Sequence, residues 1–278
     1  MKHFFLSTII LFSLNASGQK DSAQLPESRC SIAFTIGAEV PFGGFGGNTT
    51  TSSNISNAGY ATVGYAVDIP FWVALKKNKN IAIGGIVRYN NNPYDITAYY
   101  NNLIASPPYN VYTNQLQKVL QSSLNHPSYY LFTGLVGPQF KKSYRDFDIT
   151  FRLAVGAMVC RTPSTVLSFT FIANQYNPNG PNPGYITDTI TSTQSTNSVT
   201  AYSFAADLGL GANWHFSPKC FLTINADHIN AQFVFKTSTN EVGSYLNNPG
   251  SATPQTTENR NSMSVSLWNI VLGIGLEL

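Results

Sequence analysis

Apolar side chains recur at every second position from Trp268 to Leu278, and small or polar residues occupy most of the positions between them. Successive side chains of a β-strand point to opposite faces of its sheet. The pattern therefore predicts a strand with one apolar face and one face that suits a wet or tightly packed interior.

Further stretches of the chain show the same two-residue period, and together they predict eight strands. The most regular of them runs from Phe147 to Val159, and the least regular lies between Ser128 and Phe140. The predicted strands cover residues 31–42, 59–73, 81–90, 128–140, 147–159, 201–216, 220–235 and 264–278.

The connections between the predicted strands alternate strictly between short and long. Short turns occupy residues 76–80, 141–146 and 217–219, whereas long loops occupy residues 43–58, 91–127, 161–200 and 236–263. Outer-membrane barrels have short periplasmic turns and long extracellular loops. The sequence therefore predicts an all-β fold, a closed antiparallel up-and-down transmembrane barrel of eight strands over residues 31–278, with both termini on the periplasmic side.

The first 18 residues have the pattern of a cleaved export signal. Lys2 and His3 precede an apolar run from Phe4 to Leu14, and the small residues 16–18 suit a signal peptidase. A retained membrane anchor is the alternative, but the run is shorter than the ~20 residues of a spanning helix. We expect residues 19–30 to form a short periplasmic segment before the barrel.

Composition agrees with a membrane barrel and excludes several other classes. Charged residues make up 10% of the chain and aromatic residues 13%, against about 25% charged residues in ordinary soluble domains. The net charge of +3 gives no reason to expect a nucleic-acid partner. No motif for a cofactor or a metal is present, and Cys30, Cys160 and Cys220 are either unpaired or include one Cys30–Cys220 disulfide.

Aromatic residues concentrate near the ends of the predicted strands. Amphipathic rings prefer the two membrane interfaces, so we expect one girdle at each rim of the barrel. The residues expected in the girdles are Tyr60, Trp72, Tyr89, Tyr202, Trp214 and Trp268.

The opposite face of each strand carries charges that would point into the barrel. An eight-stranded barrel is just wide enough for its own side chains to fill it, so these charges predict a buried ion-pair network. Asp207 and Asp227 lie on neighbouring predicted strands and could instead form a proton-sensitive or cation-binding spot, or hold a water. The predicted network contains Glu39, Asp68, Arg88, Arg152, Asp207 and Asp227.

Two loop segments carry their own expectations. Leu116, Val119, Leu120 and Leu124 are spaced like one stripe of a helix over residues 113–124, although a solvated coil fits equally well. Residues 174–198 are rich in Asn, Ser, Thr, Gly and Pro, and we expect them to form a mobile loop.

With its alternating loops, rim aromatics and apolar final strand, the chain resembles the small eight-stranded outer-membrane barrels, such as the OmpA membrane domain and the PorT-like barrels. The resemblance covers residues 31–278 and implies outer-membrane localisation, lipid contact, and recognition of the last strand by the barrel-assembly machinery. The chain departs from this class at Leu278, where an aromatic residue is usual.

The function that the sequence favours is non-catalytic: a rigid barrel that presents long loops for surface binding, adhesion or envelope structure. An accessory barrel of a secretion or surface-assembly system is an alternative, with basic turn residues such as Lys141, Lys142 and Arg145 contacting a periplasmic partner. A lipid-modifying enzyme is another, although the candidate residues match no family motif. Those candidates are His126, Ser128, His215 and His228.

Overall fold

A computed structural model describes residues 30–47, 59–75, 78–105, 116–126, 128–177, 184–245 and 255–278. The predicted signal peptide and almost all of the predicted periplasmic segment lie outside these residues. The described strands are β1 (Cys30–Phe42), β2 (Gly64–Leu75), β3 (Asn78–Pro93), β4 (Leu116–His126), β5 (Ser128–Tyr144), β6 (Phe147–Arg161), β7 (Ser164–Asn177), β8 (Gly184–Thr196), β9 (Thr200–His215), β10 (Cys220–Tyr245) and β11 (Gln255–Glu277). The described helices are α1 (Gly43–Gly46) and α2 (Ile96–Ala105).

Eight of these strands close into a ring. Its order is β11, β1, β2, β3, β5, β6, β9 and β10, every neighbouring pair is antiparallel, and β10 pairs back to β11. These strands correspond one for one to the predicted strands. The predicted fold class, a closed eight-stranded antiparallel barrel, is confirmed.

The apolar face of each ring strand lies on the outside. On β11, the side chains of Trp268, Ile270, Leu272 and Ile274 are 46–57% exposed, whereas Val271 between them is fully buried. Trp268 to Leu278 spans about 33 Å along the strand, or about 25 Å across the bilayer at the usual tilt, which is the height of an apolar membrane band. No helix of the described residues is long and apolar enough to cross a membrane.

Three strands lie outside the ring and extend it at the end opposite Cys30 and Leu278. The long loops predict that this end is extracellular, and we name it the extracellular end. β8 pairs with the outer part of β10 from Thr239↔Thr196 to Tyr245↔Ile190, β7 pairs with β8, and β4 pairs with β7. Together with the outer ends of β10 and β11 they form a five-stranded sheet, which we name the protruding sheet. Parts of the segments expected as loops 91–127, 161–200 and 236–263 are therefore strands.

Two expectations for these segments were wrong. Residues 174–198, expected to be a mobile loop, contain the paired ends of β7 and β8, while residues 178–183 lie outside the described part. Residues 116–124 form a strand and not a helix, and the helix in this region is α2. The pairing of β4 with β7 shifts at Leu116/Lys118 and Val119/Gln121, and such irregularities turn a two-residue period into a helix-like spacing.

The barrel interior is filled in layers. The extracellular half contains an apolar core that includes Ile86, Leu131, Met158 and Phe233, each at most 1% exposed. Buried charges occupy the middle, and a mixed polar and aromatic cluster occupies the end where Cys30 and Leu278 lie. This arrangement places the candidate site at the centre of the barrel.

Candidate functional site

The centre of the barrel contains a continuous chain of ion pairs. Arg88 donates two hydrogen bonds of 2.6 Å to Asp68, from Nε to Oδ1 and from Nη2 to Oδ2, and a third from Nη2 to Asp227. Arg152 donates from Nη2 to the other oxygen of Asp227 at 2.7 Å and from Nε to Asp207 at 3.0 Å. The five side chains are at most 8% exposed, so water screens these interactions little.

Ring closure is what brings these residues together. Asp68 and Arg88 face each other on the adjacent strands β2 and β3, but β3 and β10 lie on opposite sides of the ring. The Arg88–Asp227 contact therefore crosses the whole lumen. Arg152 lies between Asp207 and Asp227, so the two aspartates that the sequence places on neighbouring strands are bridged by a guanidinium group.

Glu39 lies beside this chain but joins no ion pair among the described residues. It is fully buried, and the Asn269 amide connects it to the network when its nitrogen faces Glu39 and its oxygen faces Arg88, the orientation that its neighbours favour. Nδ2 then donates to Glu39 Oε2 at 2.8 Å, and Oδ1 accepts from Arg88 Nη1 at 2.9 Å. Glu39 Oε1 has no hydrogen-bond partner in the described part of the chain. Four carboxyl groups thus share two arginines, and Glu39 is the one without a direct cation.

Gly209 makes room for this network. A Cβ atom at this position would lie 2.4 Å from Asp227 Oδ1 and 3.1 Å from Arg152 Nη2. Both distances are shorter than ordinary van der Waals contact, so any larger residue would push the two charged groups apart. The glycine at this inward position is therefore part of the site.

A second polar cluster closes the end of the barrel at which Cys30 and Leu278 lie. Lys141 Nζ lies 2.7 Å from Asp148 Oδ2 and 3.7 Å from Glu277 Oε1, and His215 Nε2 lies 2.7 Å from the same Asp148 oxygen. The Lys141 ammonium also lies 4.4 Å from the centre of the Trp72 ring. The ligand atoms of Asp148, His215 and Glu277 lie within 4.8 Å of one another and could hold a divalent ion, but Lys141 already supplies a cation there.

The sequence reasoning did not identify this cluster. Its members come from β2, β5, β6, β9 and β11, and only the closed ring and its register bring them together. The available signals were the inward-facing positions of His215 and Glu277 in the alternation of their strands.

A small polar cavity separates the two clusters. It has a volume of about 30 Å³ and is lined by Thr150, Arg152, Asn213, Thr223 and Asn225, among others. A water molecule requires about 10–15 Å³ of such volume. The cavity has room for water but not for a solute.

Aromatic rings close the extracellular end. Phe45, which is fully buried, packs edge-on against Tyr129 at 4.9 Å between ring centres, and Tyr60 packs against Tyr99 at 5.4 Å. The Tyr60 hydroxyl accepts a hydrogen bond from Asn102 of α2 at 3.2 Å. A tyrosine is uncharged at neutral pH, and burial raises the pKa of Tyr60 further.

Four of the six residues expected in the aromatic girdles lie on the outer surface, and two do not. Tyr202 is 78% and Trp268 46% exposed. Tyr60 instead covers the extracellular end of the lumen. Trp72 is 5% exposed and points into the lumen, because it alternates with the outward-facing Phe71. The other two outer residues are Tyr89 and Trp214.

The Cys30–Cys220 disulfide, one of the two alternatives left open by the sequence, is absent. All three cysteines lie in described strands, and no disulfide joins any of them. Cys30 and Cys220 lie on β1 and β10, which are separated by β11. Two strand spacings amount to about 9.5 Å, and bridged cysteines require Cα atoms within about 7 Å. The Cys30 thiol instead contacts the main-chain oxygen of Leu278.

The histidines considered for catalysis are not assembled with a nucleophile among the described residues. His215 contacts Asp148, and its Nδ1 has no hydrogen-bond partner there. His228 lies on the outer surface, stacked on Trp268 at 4.7 Å. Ser128 is buried, and the side chain of His126 lies outside the described part. Of the basic turn residues, Lys142 and Arg145 are exposed, but Lys141 points inward.

A closed eight-stranded ring with an apolar outer surface and an interior filled by its own side chains is an integral β-barrel of the outer membrane. No protein-family model and no curated protein matches the chain.

Several solved structures resemble this fold. A major outer membrane protein from Thermus thermophilus has 10% identity and a TM-score of 0.36, with 89% of this chain and 99% of that chain covered. Ail, the attachment invasion locus protein of Yersinia pestis, has 10% identity and a TM-score of 0.33, with 90% and 96% covered. The outer membrane protease OmpT from Escherichia coli has 10% identity and a TM-score of 0.29, with 93% and 100% covered. At this level of identity and TM-score, the activities of these proteins do not indicate an activity for this chain.

Proposed function

We infer that the protein is a non-catalytic outer-membrane barrel whose closed ring is a rigid support for an extracellular binding or adhesive surface. The observation that carries this proposal is the continuity of β10. Its first part, from Phe221 to Ala231, pairs with β9 in the ring, and its last part, from Thr239 to Tyr245, pairs with β8 in the protruding sheet. The same strand thus forms both the barrel wall and the centre of the surface it supports.

The protruding sheet is suited to contact by hydrogen bonding. One cross-strand row consists of threonines, because Thr196 pairs with both Thr165 and Thr239, and Thr239 also pairs with Thr257. The hydroxyl groups of Ser168 and Thr193 lie 3.0 Å apart. Loops and edges carried on a rigid scaffold are the usual location of binding surfaces.

The filled lumen argues against a conduit. Arg88 and Asp227 connect opposite walls at mid-height, and Phe45 and Tyr60 cover the extracellular end. A solute would have to displace both layers. We therefore expect no single-channel conductance for the purified protein in a planar bilayer.

The proposal is tested by replacing residues 165–196, which contain most of β7 and β8, with a short Gly-Ser linker. Cells displaying this variant are expected to lose attachment to protein-coated or glycan-coated surfaces. The barrel itself should still migrate differently on a gel before and after boiling. Attachment equal to that of the natural protein would refute the adhesive role, as would stable ion conductance through the intact barrel. Lys142→Gln, at the opposite end, is the matched control.

A further inference from the structure

The outer surface of β10 and β11 carries a strip of polar and cationic residues immediately beyond the apolar band. Even-numbered residues of both strands face outward here, alternating with buried residues such as Ile229 and Val265. We name this surface the β10–β11 strip. From the membrane outward, its cross-strand pairs are His228↔Trp268, Asn230↔Ser266, Gln232↔Ser264, Val234↔Ser262 and Lys236↔Arg260.

The inner end of the strip is an aromatic clamp at the membrane interface. His228 stacks on Trp268 with 4.7 Å between ring centres and an angle of 14° between ring planes. Phe42 also contacts the histidine, with 5.1 Å between ring centres. Because Trp268 marks the upper limit of the apolar band, this clamp lies where acyl chains meet the headgroup.

The middle of the strip is a row of fixed polar groups. Ser266 donates from its hydroxyl to Asn230 Oδ1 at 2.6 Å, and Asn230 Nδ2 lies 3.2 Å from His228 Nε2. Gln232 and Ser264 follow, and both are exposed. Exposed amide and hydroxyl groups of this kind hydrogen-bond sugars.

The outer end of the strip is a pair of cations placed directly opposite each other. Lys236 and Arg260 are cross-strand partners and both are exposed. Like charges in this position repel, and neither residue forms an ion pair of 4 Å or less with any described residue, including the neighbouring Glu258. An external anion between them would remove the repulsion.

The distances specify the kind of anion. Lys236 lies eight residues beyond His228, which is about 26 Å along the strand and about 20 Å along the membrane normal at the usual tilt. A simple phospholipid headgroup does not extend so far from the interface. We propose that the β10–β11 strip binds an outer-leaflet glycolipid of the lipopolysaccharide class, with its phosphate groups on Lys236 and Arg260.

The test is binding of purified, refolded barrel in detergent to lipopolysaccharide, compared with the same glycolipid after enzymatic dephosphorylation. The variant Lys236→Gln/Arg260→Gln is expected to bind the intact glycolipid at least tenfold more weakly. The matched control Lys142→Gln/Arg145→Gln removes two exposed cations from the opposite end and should bind within twofold of the natural protein. The variant His228→Ala/Trp268→Leu should weaken binding to both glycolipid forms.

Three results would overturn the proposal. One is equal binding of the Gln variant and the natural protein. Another is equal binding of the phosphorylated and dephosphorylated glycolipids by the natural protein. A third is competition by millimolar inorganic phosphate, which would show that the cations bind a free anion. These measurements use isolated protein and do not depend on whether the protruding sheet is adhesive.

Discussion

Replacement of Arg88 by methionine is the most direct test of how the barrel interior is stabilised. Arg88 is fully buried, and both oxygens of Asp68 accept hydrogen bonds from it. Asp227 also loses a bond in Arg88→Met but keeps its contact with Arg152. Most of the loss in folding free energy therefore arises at Asp68, which becomes a buried carboxylate without a cation partner.

The magnitude follows from these contacts. Three charge-assisted hydrogen bonds at about 1.5–3 kcal/mol each give an additive upper range of about 5–9 kcal/mol. Breaking a buried ion pair costs about 3–5 kcal/mol, because it leaves an uncompensated buried charge. This is less than the additive range, because the remaining partners relax and share other donors. We expect Arg88→Met to lower the free energy of unfolding by about 3–5 kcal/mol, which is a large part of the total for a typical domain.

The measurement is reversible urea unfolding of barrel refolded into lipid vesicles, followed by tryptophan fluorescence and by the gel shift on boiling. Trp72, Trp214 and Trp268 report on both rims. The double variant Arg88→Met/Asp68→Leu removes the stranded carboxylate, so it should be more stable than Arg88→Met alone. A loss below about 1 kcal/mol for Arg88→Met, or strictly additive losses in the double variant, would refute this reasoning.

Three further predictions use the same unfolding assay. Gly209→Ala should cost about 1–3 kcal/mol, whereas Gly134→Ala, where a Cβ meets nothing within 4 Å, should change stability by less than about 0.5 kcal/mol; equal effects would contradict the proposed packing. Glu39→Gln should leave stability within about 1 kcal/mol or raise it, because Glu39 has no ion pair to lose; a loss comparable to that of Arg88→Met would show a missing cation. Leu272→Arg, near the middle of the apolar band, should cost about 2–4 kcal/mol in lipid, and no loss would place Leu272 outside that band.

The sequence predicts the ring well, because one physical constraint governs every ring strand. Each strand meets lipid on one face and packed side chains on the other, so the two-residue period persists through the membrane. The exposed Ile270 and the buried Asn269 show this alternation. Where two aromatic residues are adjacent, as at Phe71 and Trp72, both cannot face lipid, and composition alone cannot identify the outward one.

The protruding sheet could not be predicted in the same way. Beyond Phe235, both faces of β10 carry polar residues such as Thr237 and Ser238, and no apolar period remains to mark a strand. Backbone pairing continues nevertheless, through the register from Lys236↔Arg260 to Glu241↔Gln255. Register and ring order likewise determine the Arg88–Asp227 contact, which involves residues 139 positions apart in sequence.

The position of the ion network has a mechanical consequence for the protruding sheet. Asp227 lies on β10, and its two oxygens bind Arg88 and Arg152 on two other strands of the ring. An outward force on the protruding sheet acts first on β10, its longest strand. That force would shear β10 against β9 and β11, and the backbone hydrogen bonds of these two pairs would share the load. The contacts of Asp227 with Arg88 and Arg152 cross the lumen, so they oppose the sliding of β10 from inside the barrel and not from its two neighbouring strands. A buried network that adds little to net stability can therefore still hold β10 in register, and this gives the charges a role that an apolar core, which lacks directional contacts, could not fill.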